Sequence, residues 1–158
     1  MASEPLPAGY LEAGQEFDKA LRHLGFYPDA LLWAVDKSIE DFVLVLITRH
    51  FDYAGPTEIF RLLTRAYNLS ATPREISPFI IRLHSANQEV AQQVQMVQGD
   101  IRKADGRRSE TAWLIFEVAD LKFQSNWVYY ANAGRKLDAV SRSRQWQRFR
   151  KNIEKLAA

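Results

Sequence analysis

Tyr10, Ala13, Phe17, Leu21 and Leu24 recur at intervals of three and four residues, which predicts a helix over 9–24 with one face turned to a core. Gly25 follows as a left-handed stop. The period then changes. Ala30 to Val35 and Phe42 to Thr48 are short apolar runs separated by the polar stretch 36–41, the pattern of a β-hairpin. The second run is apolar at every position from Phe42 to Ile47, so it reads as a central strand covered on both faces.

Gly55, Pro56, Thr57 and Glu58 open a second helix, with Ile59, Leu62, Leu63 and Ala66 on its inward face and an end near Asn68. After Pro73 and Pro78, the run 79–84 predicts a third strand with Phe79, Ile81 and Leu83 on one face. Ser85 and Gln88 have capping-box spacing and open a third helix to about Val97. Residues 99–109 hold Arg102, Lys103, Arg107 and Arg108 around Asp105 and Gly106, and read as an exposed basic loop. Thr111 to Val118 and a further run to Tyr130 form a second strand pair, with its turn either near Asp120 or at 124–126. A last helix spans 138–156.

The order α-β-β-α-β-α-β-β-α predicts an α/β fold, with α+β as the alternative: a mixed sheet of about five strands carrying helices. Residues 1–8 read as a flexible lead and 9–158 as a single domain. Forty-seven per cent hydrophobic residues in 158 supply enough apolar surface for such a core without cross-links. There is no cysteine, so disulfides, thiolate metal sites and cysteine nucleophiles are excluded, and a cytoplasmic setting is the default expectation. The opening residues lack the charge and apolar run of a signal peptide, and no stretch approaches the roughly 20 apolar residues of a membrane span.

The net charge of +2 hides an asymmetry. Residues 1–97 carry 8 basic against 12 acidic groups (−4), and 98–158 carry 13 against 7 (+6). The asymmetry is sharpest on the last helix. At 100° per residue, Trp146, Phe149, Ile153 and Leu156 share one face, while Arg144, Arg148, Lys151 and Lys155 share the opposite one. Cations on one rigid element can each neutralise a phosphate, and arginine adds bidentate geometry. With Arg102, Lys103, Arg107, Arg108 and the pair Arg135 and Lys136, this stripe predicts a non-catalytic protein that binds a polyanion, nucleic acid first and an acidic protein second. The same stripe on a terminal helix can also serve solubility alone. Arg142 falls on the apolar side, as a snorkelling or paired group, whereas Leu137 and Val140 fall on the basic side and suggest either a bend near Ser141 or a second chain packed there.

Two further readings belong to other classes. A protein-interaction or regulatory module, of inhibitor or immunity type or as a homodimer, fits the misplaced Leu137 and Val140 and the absence of catalytic motifs. A small enzyme or metal-binding domain would use His50, Asp52 and His84, with Tyr53 beside them. If the strands before and after the second helix are parallel, both histidines follow the carboxyl edge of the sheet, where open α/β sheets place ligands. No cofactor motif is present. The aromatic residues Trp113, Phe116, Phe123, Trp127, Tyr129 and Tyr130 could offer a base-stacking sheet surface, but strand alternation assigns them first to the core.

Overall fold

A computed structural model of the chain describes residues 5–103, 115–131 and 138–156. The apolar hairpin forms as its pattern requires. Strand β1 (Ala30–Asp36) pairs antiparallel with β2 (Asp41–Thr48), in register from Ala30 opposite Ile47 to Asp36 opposite Asp41. The loop between them is held by Asp36, whose carboxylate accepts from the Ser38 N–H at 3.0 Å and is bridged by Arg82 at 3.3 Å. The Ser38 hydroxyl, which also donates to this carboxylate, then the Ser38 N–H and Arg82 hold the Asp36 carboxyl below the usual carboxylate range. From Val43 to Thr48 every residue of β2 is buried, as the unbroken apolar run implies.

Helix α3 (Pro56–Asn68) carries the chain to β3 (Ile81–Ser85), which pairs parallel with β2. Two more strands, β4 (Ile115–Val118) and β5 (Leu121–Gln124), complete the row order β3-β2-β1-β5-β4. Strand β6 (Val128–Ala131) returns to β1 and lies antiparallel to it, as β5 does, so the two form one row interrupted by a 3₁₀ turn at Ser125–Trp127. The mixed sheet therefore has six strand segments in five rows. The reversal lies at Ala119 and Asp120, where Ala119 takes φ 51° and the Asp120 carbonyl accepts from Lys37 N–H at 2.7 Å.

Helix α1 (Tyr10–His23) packs on the β1 face that carries Trp33. The indole N–H reaches both the Tyr10 carbonyl (3.1 Å) and the Tyr129 hydroxyl (2.9 Å). Regular alternation would send Tyr129 and Tyr130 to opposite faces. The pairing of β6 with β1 shifts between Leu31 and Leu32, and both hydroxyls reach α1, Tyr129 donating to Leu11 O and Tyr130 to Asp18, each at 2.7 Å.

Three expectations change. Phe79 does not join the inward face of β3: Pro78–Ile80 wind into a 3₁₀ turn, with Ser77 Oγ accepting from the Phe79 N–H, and Phe79 is left 89% exposed. Strand alternation begins only at Ile81. Helix α4 runs Glu89–Lys103, so 99–103 belongs to a helix and not to a loop. The 3–4 spacing of Val90, Val94 and Val97 continues in sequence to Ile101, and one interior Gly99 costs only about 1 kcal/mol against it. A short helix α2 (His50–Ala54), unmarked by any periodicity, follows β2 directly. No helix among the described residues is long and apolar enough to cross a membrane.

Candidate nucleic-acid interface

Helix α5 (Ala139–Leu156) opens on Asp138, whose carboxylate accepts from the Ser141 N–H at 2.6 Å and is held below its usual range by that bond. Trp146, Phe149 and Ile153 are buried, and Phe149 lies 4.9 Å from the Phe26 ring. Midway along, Asn152 donates to the Leu24 carbonyl at 2.7 Å. The apolar stripe thus fixes which way the opposite face points.

On that opposite face, Arg144, Arg148, Lys151 and Lys155, with Ser143, Gln147 and Asn152, line an open groove of about 600 Å³. All four cations are exposed, and among the described residues no carboxylate forms an ion pair with any of them. The neighbouring flank behaves differently. Arg150 pairs with Glu154 at 3.5 Å, and on α3, which packs beside α5, Glu58 and Arg61 form a two-point pair. The helix is neutralised where it faces α3 and left positive along the groove. The Arg148 side chain lies against Gly25, whose φ of 93° turns the chain from α1 towards β1.

Arg107 and Arg108 lie outside the described residues, as do Arg135, Lys136 and Leu137. The side chains of Arg102 and Lys103 are likewise outside them. Val140 is 60% exposed and bears no covering partner within the described chain. Arg142 turns towards the core side as its position implies, its guanidinium 5.5 Å from the centre of the Tyr53 ring.

The parallel pairing of β2 and β3 does bring their carboxyl ends together, with Thr48 opposite Ser85. Asp52 closes over that end, accepting from Ser85 Oγ at 2.6 Å and Asn87 Nδ2 at 3.0 Å. The histidines are engaged separately. His84 Nδ1 faces Gln88 Oε1 at 2.9 Å, in the turn that also bonds Gln88 to the Ser85 N–H. His50 is 2% exposed, between Phe26 and Trp146, with ring centres 5.7 and 5.6 Å away. Burial first, then Arg142 and Arg49, lower its pKa from 6.5 to about 4, so the ring is neutral. The three side chains share no partner, and among the described residues no group of three or more His, Cys, Asp or Glu could hold a metal ion.

The aromatic hairpin serves the fold. Phe123 and Trp127 are buried, Phe116 stacks on Phe123 at 5.6 Å, and both tyrosine hydroxyls are bonded to α1; Trp113 is outside the described residues. What the sequence did not mark is the polar rim of the groove. Ser143 and Gln147 sit at helical spacing beside the cations, a signal weaker than charge. No protein-family model matches the chain, and neither a curated protein nor a solved structure matches it.

Proposed function

We propose that this chain is a non-catalytic binding protein whose α5 groove engages a polyanion, specifically the phosphates of a nucleic acid. The observation that carries the reading is the contrast along one helix: four cations with no ion pair among the described residues line a groove, while the adjacent Arg150 is neutralised. A face kept basic only for solubility gives no reason for that segregation. Released counterions would supply the binding free energy, and Asn152 with the buried aromatic stripe would hold the cations on a rigid support.

A gel-shift assay at low salt tests this. The wild-type chain should retard DNA or RNA, and the combined Arg144→Glu, Arg148→Glu, Lys151→Glu and Lys155→Glu variant should not, with an unchanged circular dichroism spectrum. Absence of any retardation by the wild type overturns the reading.

A protein-interaction role, as regulatory subunit or homodimer, draws on a different surface. Phe79 projects beside an apolar recess of about 300 Å³ lined by Phe60, Tyr67, Pro78 and Ile81. Light scattering at high concentration separates the homodimer form from a monomer, and Phe79→Ser should dissociate such a dimer.

A further inference from the structure

One half-exposed tyrosine touches a residue of the basic groove, and a second stands two residues along the chain from Gly25, against which Arg148 of the groove lies. Tyr53 is 46% exposed, and its hydroxyl lies 3.3 Å from Oγ of Ser143, which lines the groove near the helix N-terminus. Tyr27 is 42% exposed and stands two residues beyond Gly25, the residue against which Arg148 lies. On a helical wheel Ser143 falls about 100° to one side of Arg144, and Arg148 and Asn152 fall about 40° and 80° to the other. Ser143 and Arg148 are separated by five residues, or about 7.5 Å of helix.

Each ring also has a guanidinium beside it. Arg142 lies 5.5 Å from the centre of Tyr53, and Arg22 lies 5.5 Å from that of Tyr27. The cations hold each aromatic ring in place while leaving nearly half of the residue in solvent. Phe26, next to Tyr27, is buried against Phe149 and His50, so the backbone beneath Tyr27 is anchored to the core that supports α5.

We infer that the ligand of the groove is a single-stranded nucleic acid, its bases stacked on Tyr27 and Tyr53 and its phosphates on Arg144, Arg148, Lys151 and Lys155. This rests on the polyanion reading above and narrows it. In a duplex the base faces are occupied by their neighbours, so the two rings would contribute nothing; a single strand presents them free, and stacking tolerates any base. The strand crosses α5 obliquely, from one flank to the other over the cations.

Fluorescence anisotropy with labelled oligothymidylate and oligouridylate, and with a duplex of the same length, tests the inference. The wild type should prefer the single strands. Tyr27→Leu and Tyr53→Leu should each weaken single-strand binding about tenfold, within the range for loss of one base–aromatic stack, and leave duplex binding unchanged. Tyr53→Phe keeps the ring but loses its bond to Ser143 and should bind the single strands more tightly than Tyr53→Leu does. Equal affinity for single strand and duplex, with no effect of either leucine variant, overturns the inference while the fourfold charge reversal still reports on the polyanion reading. Absence of binding to any probe removes both.

Discussion

Asn152 donates through Nδ2 to the carbonyl of Leu24 at 2.7 Å, joining the last helix to the residue that caps the first. Carbonyls in the final turn of a helix lack intrahelical donors, and Leu24 is 5% exposed, so solvent offers little replacement. Asn152→Ala should lower the unfolding free energy by about 1–2 kcal/mol, read from urea denaturation. An unchanged midpoint would show that the two helices are joined by their apolar contacts alone.

Gly14 lies on α1 directly beneath the Tyr129 ring. A Cβ there would overlap the hydroxyl and come within 2.7 Å of the ring carbon Cζ. Alanine is favoured over glycine in a helix by about 1 kcal/mol, but overpacking costs about 1–3 kcal/mol, so Gly14→Ala should destabilise the wild type. In a Tyr129→Ala background the overlap is gone, and the same substitution should stabilise by up to about 1 kcal/mol. Thermal melts of the four chains measure this reversal of sign.

His50 predicts a pH dependence. The unfolded chain takes up its imidazole proton near pH 6.5, and the folded chain resists until about pH 4. Its contribution is complete above pH 6.5, falls as pH drops through that window and levels off below pH 4, a loss of about 3 kcal/mol. Urea midpoints measured from pH 7 to pH 4 should fall more steeply for the wild type than for His50→Gln. Parallel curves would mean that the ring is not held neutral by its surroundings.

The parts of this fold that were legible in the sequence are those set by local period. The opposed stripes of 138–156 named both the buried face of α5 and the four cations of the groove, because 3.6-residue periodicity survives any tertiary context. The hairpin of β1 and β2 was legible from two apolar runs joined by a polar stretch. Phe79 was not, because its exposure depends on a 3₁₀ turn set by Ser77 and Pro78 that shifts where strand alternation starts. The break between β5 and β6 depends on pairing with β1, about ninety residues away in the chain. The position of Tyr53 beside Ser143 was illegible because it comes from a long-range contact, ninety residues apart in the chain.

The salt dependence of oligothymidylate binding tests the central claim most directly. Each phosphate neutralised on a single strand contributes about −0.7 to the slope of log Kobs against log salt, so four cations predict a slope of about −3. Charge reversal at Arg144, Arg148, Lys151 and Lys155 should remove binding and its slope together, whereas Arg150→Glu, on the neutralised flank, should change the slope little. Binding that is insensitive to salt, or that keeps the same slope after the fourfold reversal, would contradict a phosphate-binding role for the α5 groove.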